Sequence, residues 1–205
     1  MIKKEIKNLL IDFGGVLIDL DRPRCIANFQ QLGVSEVASL LDEYHQQGFF
    51  LQYEKGLIDD AAFRAEIRSR IGRPVTDARI DAAWNSFLGT IAPAKLELLL
   101  RLRSHYTLYL LSNTNRLHWE WSLREAFRYH GQQVTDCFKR LYLSFELHLA
   151  KPDAAIFRYV LEDAALLPQE TLFIDDSAEN CKTAASLGLS TYQPQAGEDW
   201  SHLFA

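Results

Sequence analysis

No stretch of this chain approaches the ~20 consecutive apolar residues that a membrane-spanning helix needs, so the sequence predicts no transmembrane segment. Positive charge is not in excess either. Lys and Arg total 22 against 27 Asp and Glu, a formal net charge of −5. That balance gives no general attraction to nucleic acid or to an anionic membrane. Cysteine is scarce: Cys25, Cys137 and Cys181 are odd in number and lack the close spacing of metal ligands. They read as reduced thiols of a cytoplasmic protein rather than as a disulfide framework. His45, His118, His130 and His148 show no zinc-like arrangement. Internal repeats and low-complexity segments are absent. The start, Met1-Ile2-Lys3-Lys4, is basic like a secretory leader. The apolar run after it is broken by Asp12 and then by glycines, and no small-residue cleavage site follows. The expectation is therefore that no signal peptide is present.

What remains is an ordinary globular composition, 48% hydrophobic and 24% charged over 205 residues. That length suits one domain, or one core with a modest insertion. Short apolar runs at 8–12, 107–111, 140–143 and 172–175, with a fifth at 190–193, read as buried parallel strands. Helical patterns at 93–104, 153–165 and 180–187 separate the later ones, the last ending at Gly188 as a C-terminal cap. Alternation of this kind predicts an α/β fold, a doubly wound parallel sheet. From about residue 20 to residue 90 no buried strand is evident. Amphipathic helices are expected at 24–32, 36–46, 60–71 and 77–87. The predicted organisation is a core of residues 1–19 and 90–205 with a helical insertion over 20–89.

Four polar clusters fall at predicted strand ends, where open α/β sheets bind ligands. The first is Asp12, followed by Gly14 and Gly15. A carboxylate beside a core costs free energy unless it is paired or bound to a cation, and glycines let the backbone turn and approach a ligand closely. The second, Ser112-Asn113-Thr114-Asn115, offers small polar groups at a helix start, which suits an anion but equally a plain N-cap. The third is Lys151-Pro152-Asp153. Pro152 fits the first position of a helix and Asp153 its positive end. Lys151 does not suit that end, and makes sense there if it pairs with an anion. The fourth is Asp175-Asp176, with Ser177 and Asn180 following. Adjacent carboxylates repel unless a cation lies between them, and hard oxygen ligands of this kind suit Mg²⁺. Together the clusters form a complement for phosphoryl transfer, where positioning and charge neutralisation do most of the work.

In this order the four clusters closely resemble the motifs of the haloacid dehalogenase superfamily, and the resemblance extends over the whole chain. It implies a Rossmann-like core with a helical cap, and a Mg²⁺-dependent phosphatase acting through an aspartyl-phosphate on a small phosphorylated metabolite. It implies Asp12 as nucleophile and Lys151 as its catalytic partner. Ser112, Asn113 and Lys151 would bind phosphate. Asp12, the Gly14 carbonyl, Asp176 and Asp175 would hold the metal, with Asn180 in support. Within the family, residues 112–118 look most like the bacterial α-D-glucose-1-phosphate phosphatase group, which also has glycine at the Gly14 position. Tyr53-Glu54-Lys55-Gly56 resembles a segment common in caps of this type.

Gly14 departs from the family pattern, which usually has a second aspartate there to protonate the leaving group. General acid–base help is worth about 10²–10⁴ in rate. A glycine implies one of three things. The substrate has a better leaving group, such as the anomeric oxygen of a sugar 1-phosphate, or another residue supplies the proton, with Asp19, Asp21, Glu54 and His118 as candidates. A second possibility is a dehalogenase, whose halide needs no proton, although Asp175-Asp176 argues against it. The third is a phospho-ligand or protein-binding member of the fold without turnover. Phe49, Phe50, Tyr53 and Trp84 read as cap core, and Arg116 as a surface residue. Trp119 and Trp121 border either the pocket or a protein contact. The substrate's identity and the oligomeric state are not legible.

Overall fold

The computed structural model describes residues 5–41, 46–195 and 197–204. Its centre is a five-stranded parallel sheet. The apolar run Asn8–Ile11 (β1) is the middle strand, with no more than 1% exposure at Leu9, Leu10 and Ile11. The chain then forms a short strand Ile18–Leu20 (β2) and five helices: α1 (Arg22–Leu32), α2 (Val37–Leu40), α3 (Gly48–Glu54), α4 (Asp60–Ile71) and α5 (Asp77–Asn85). Strand β3 (Leu88–Ile91) returns antiparallel to β2, so the helical segment enters and leaves through one two-stranded ribbon. Helix α6 (Pro93–Leu102) leads to β4 (Thr107–Ser112), and α7 (Arg116–Glu125) follows it. A two-residue hairpin, β5 (Arg128–Tyr129) and β6 (Gln132–Gln133), precedes β7 (Phe138–Leu143). The rest is α8 (Ser144–Leu147), α9 (Ala154–Asp163), β8 (Thr171–Ile174), α10 (Ala178–Ser186) and β9 (Ser190–Tyr192).

The sheet order is β7-β4-β1-β8-β9. β4 and β8 flank β1 in matching register, with Ile11 opposite Leu110 on one side and Ile174 on the other. All three strands therefore end at one level. Chain direction along the sheet reverses beside β1, which is where ligands bind in such folds.

Parallel strands covered on both faces must be apolar on both. One side of the sheet buries Leu10, Tyr109, Leu111 and Phe173 with Ile156, Phe157 and Val160 of α9. The other continues into the helical segment as one core, with Phe29, Phe50, Phe63 and Trp84 fully buried. There Tyr53 stacks on Phe63 at 4.3 Å between ring centroids, and Phe50 lies 5.0 Å from Trp84. Each large side chain buried this way contributes about 1.5–3 kcal/mol. The aromatic residues of this segment are thus its core, as their spacing implied.

Several local expectations need correction. The region up to residue 91 does contain strands, in β2 and β3. They are three and four residues long, too short to carry a periodic signal, and lie beside the expected helices. Helix α3 was not foreseen, because its residues 49–51 are consecutively apolar and carry no periodic signal. The helix expected over 36–46 is only four residues long as α2, and residues 42–45, with His45, lie outside the described residues. Pro152 does not open a helix. α9 starts at Ala154, and Asp153 is its N-cap, accepting from the Ala155 N–H at 2.9 Å. The three cysteines are buried and free. Among the described residues no helix is long and apolar enough to cross a membrane.

Candidate active site

One small cleft at the C-terminal edge of the sheet gathers residues from every motif. Asp12, Gly14, Ser112, Asn113, Lys151, Asp176 and Asn180 all line it. Asp12 follows β1 directly, and its main-chain N–H bonds the Ile174 carbonyl at 2.9 Å. The next side chain, Phe13, is buried against Phe127 and Trp119, with ring centroids 5.1 and 5.9 Å away. Anchored on both sides, Asp12 has nowhere to point but the cleft. The Phe13 N–H also donates to Asp12 Oδ1 at 2.7 Å. Trp119 is therefore core, while Trp121 is half-buried on the molecule's flank.

Lys151 is the hub. Its Nζ lies 2.8 Å from Asp12 Oδ1 and 2.6 Å from Asp175 Oδ2, and donates to the Leu111 carbonyl at 3.2 Å. It is only 3% exposed. Burial alone would pull its proton off. The Asp12 and Asp175 carboxylates outweigh burial and hold the ammonium above the usual lysine range. For Asp12, burial raises the carboxyl above its usual range. Lys151 opposes this, and the charges of Asp175 and Asp176 add to the rise. Two buried carboxyls and the half-buried Asp176 against the Lys151 ammonium leave this cluster short of positive charge.

Asp175 is fully buried and heavily engaged. Besides Lys151 it accepts from the Ser177 N–H at 2.8 Å and from Asn180 Nδ2 at 2.9 and 3.1 Å. It orients Lys151 and Asn180 more than it faces the cleft. Asp176 does line the cleft. Its approach to the first motif demands glycine at 15: φ there is +72°, and a Cβ would overlap the Asp176 carboxylate. Gly14 has no such backbone requirement, and a Cβ there would meet only the end of the Leu20 side chain at 3.2 Å.

These residues fit a divalent cation. One oxygen from each of Asp12, Asp175 and Asp176 lies within 4.8 Å of the others. Among the described residues the buried Asn180 Oδ1 beside them has no hydrogen-bond partner, an acceptor left over in a cluster already rich in acceptors. Carboxylates and amide oxygens are hard ligands of the kind Mg²⁺ takes.

Asn113 behaves differently from the other polar residues. Its side chain accepts from the Lys151 N–H and donates to the Lys151 carbonyl, 2.9 Å each way. The amide is committed to joining two motifs and is not offered to a ligand. Asn115 caps α7 and accepts from Trp84 Nε1 at 3.1 Å.

The four candidate proton donors separate clearly. Asp19 is exposed, and Asp21 is spent capping α1 at the Arg24 N–H; neither lines the cleft. His118 lines it, but burial pushes its pKa down to about 3. Its ring is also held between the Trp84 carbonyl at 3.1 Å and Asn115 Nδ2 at 3.2 Å. Glu54 lines the cleft and is 8% exposed. Arg116 points away, half-exposed, near Glu120 and 5.7 Å from the Phe145 ring centre.

Ser144 was missed from the sequence. Its Oγ accepts from the Thr114 N–H at 2.9 Å and lies 2.7 Å from the Glu54 carbonyl and 2.9 Å from the Thr114 carbonyl. The signal was available: like Asp12, it is a polar residue directly after an apolar strand.

Comparison with known proteins agrees with this geometry. Residues 6–188 match the model of the haloacid dehalogenase-like hydrolases. A D-ribitol-5-phosphate phosphatase of Bacteroides thetaiotaomicron is 38% identical over 195 residues, covering 95% of each chain. A haloacid dehalogenase family enzyme of the same organism was crystallised as an aspartate-to-alanine variant with magnesium and inorganic phosphate. It superposes with a TM-score of 0.95 at 56% identity, over 98% of this chain and 99% of its own. A HAD-like hydrolase from Porphyromonas gingivalis gives 0.90 at 36% identity, over 98% and 96%. With the fold, the four motifs and a match over most of its length in agreement, the chain belongs to the haloacid dehalogenase-like hydrolase family.

Proposed function

We propose that this protein is a Mg²⁺-dependent phosphatase that hydrolyses the phosphomonoester of a small polyol or sugar through an aspartyl-phosphate on Asp12. The observation that carries the reading is the convergence of Asp12, Lys151 and Asp176 on one cleft, with Lys151 Nζ 2.8 Å from Asp12 Oδ1. Asp12 would attack phosphorus, and the oxygen of the substrate's alcohol would leave. Lys151, already charged and desolvated, would neutralise the transferring phosphoryl group. Ser112, 1% exposed at the end of β4, would donate its hydroxyl to a phosphoryl oxygen. Asp12, Asp176 and the Gly14 carbonyl would hold the metal, with Asp175 completing the carboxylate set and Asn180 supporting it. Magnesium bound there supplies positive charge that lets an anionic nucleophile approach an anionic phosphate. The helical segment over 20–89 would serve as the cap that closes the cleft.

Taken alone, the missing acid at Gly14 points to an anomeric phosphate such as glucose 1-phosphate. The relative named for ribitol 5-phosphate favours a phosphate on an ordinary alcohol instead. A dehalogenase has no use for a third carboxylate on the cleft floor. Phosphate release should be screened with Mg²⁺ over ribitol 5-phosphate, glucose 1-phosphate, nucleotides and flavin mononucleotide. Turnover of a polyol or sugar phosphate, lost with EDTA and in Asp12→Asn, is the expected result. Halide release from a haloacid without metal would overturn it.

A further inference from the structure

An ordinary alcohol leaves phosphorus poorly without a proton, and Gly14 has none to give. Resting on the phosphatase reading, we propose that Glu54, at the end of α3, is the general acid and base of the reaction. Glu54 lines the same cleft as Asp12, Gly14, Ser112 and Lys151. Glu54 is more than nine-tenths buried. Keeping a carboxyl there is costly, and the charge that offsets this burial is that of Lys151, the residue bound to Asp12.

Its placement is fixed from the backbone. Ser144 Oγ donates to the Glu54 carbonyl at 2.7 Å, and the His148 ring nitrogen Nδ1 lies 2.9 Å from the Lys55 carbonyl. The Leu117 N–H donates to Tyr53 Oη at 3.3 Å, and Tyr53 in turn donates to Asp60 at 2.7 Å. Gly56, at φ +61°, lies so close to the Phe145 carbonyl that a Cβ would overlap it. Residues 53–56 are thus tied to the same loops that carry the second and third motifs.

The charge environment suits the role. Burial pushes the Glu54 carboxyl up to about 8, with Lys151 pulling the other way. The other titratable groups lining the cleft are Asp12, Asp176 and the unprotonated His118. Of the groups on neighbouring helices, Asp60 is taken by Tyr53, and Glu146 is exposed. At neutral pH Glu54 therefore carries a proton. As Asp12 Oδ bonds to phosphorus and the P–O bond to the alcohol breaks, that proton passes to the departing oxygen. The resulting carboxylate then takes a proton from water. The water oxygen bonds to phosphorus, the bond to Asp12 breaks, and phosphate leaves with Glu54 protonated again.

The test compares wild type and Glu54→Gln, both with saturating Mg²⁺, on ribitol 5-phosphate and on p-nitrophenyl phosphate. The expected result is a kcat on the alkyl phosphate lower by about 10²-fold or more, with KM little changed. p-Nitrophenyl phosphate, whose leaving group needs no proton, should give a burst of nitrophenol stoichiometric with enzyme, with phosphorylated protein accumulating by intact mass. A raised KM with unchanged kcat would make Glu54 a contact for a substrate hydroxyl. Equal losses on both substrates without a burst would make it structural. Either overturns the assignment while leaving the phosphatase reading intact, since wild-type turnover and its loss in Asp12→Asn are read alongside. Wild type inactive on both substrates would overturn both. If the variant does not fold, the wild-type profile decides. Alkyl phosphate turnover should fall as pH rises through about 8, and a flat profile there would overturn the assignment.

Discussion

The Asn113 side chain and the Lys151 backbone hold each other through two hydrogen bonds of 2.9 Å, one in each direction. This reciprocal pair joins the loop after β4 to the loop before α9, 38 residues apart in sequence. It fixes where Lys151 starts, and the carboxylates of Asp12 and Asp175 fix where it ends. The cleft floor is therefore a closed set of charges, and changes in it should be felt by the fold as well as by activity.

Lys151→Met removes the cation that pairs with both Asp12 and Asp175. Breaking one side of a buried ion pair costs about 3–5 kcal/mol. The variant should melt well below wild type in EDTA, and Mg²⁺ should return part of the loss while activity stays absent. Equal melting temperatures for variant and wild type in EDTA would contradict the charge argument.

The two glycines of the first motif should respond oppositely to alanine. Gly15→Ala forces a Cβ into the Asp176 carboxylate at a positive φ, a conformation that costs about 1–3 kcal/mol, and should abolish Mg²⁺ binding in a calorimetric titration. Gly14→Ala asks only that the end of Leu20 give way slightly. It should bind Mg²⁺ normally and change stability by less than about 1 kcal/mol.

Glu54 should make wild type less stable as pH rises. Its folded pKa of about 8 lies above the usual 4.5. The native state therefore holds the proton more tightly than the unfolded chain, and stability falls between those two values. Glu54→Gln has no charge to bury. Its melting temperature relative to wild type should climb from pH about 4.5 and level off above about 8. A constant difference across the range would show that the carboxyl is already ionised when folded.

His118 should act in the opposite direction. The native state keeps it unprotonated down to about 3, while an unfolded chain takes up a proton near 6.5. Stability is then complete above about 6.5 and declines as pH falls toward 3. His118→Phe keeps a ring stacked on Trp84, 4.2 Å away in wild type. It should be less stable at pH 7, having lost its hydrogen bonds, but show a shallower decline on acidification. Parallel acid slopes would count against a buried neutral histidine.

The central strands are legible because a parallel strand buried on both faces must be an unbroken apolar run, as at residues 9–11 and 172–174. Polar residues at their ends stood out for the same reason. The β2–β3 ribbon did not stand out, because three or four residues carry too little periodicity to compete with the helices beside them. Asn113 read as a ligand for an anion because its partner is 38 residues away. From the sequence Glu54 is one of four candidate proton donors, three carboxylic acids and His118, with equal claims. Only burial, which depends on how α3 packs against the core, separates it from Asp19 and Asp21.

The anchoring of residues 53–56 divides the helical segment into two kinds of territory. Around Glu54, Ser144, His148 and Phe145 leave little freedom to change. Elsewhere the segment contributes Gln46 to the cleft wall, and Leu20, Phe87 and Leu88 at or beside the ribbon through which it joins the core. On the phosphatase reading, substitutions there would reshape the space beside Asp12 and Lys151 without moving either residue. A lineage of such proteins would then trade one substrate for another by drift at a few wall positions, keeping its charged floor throughout.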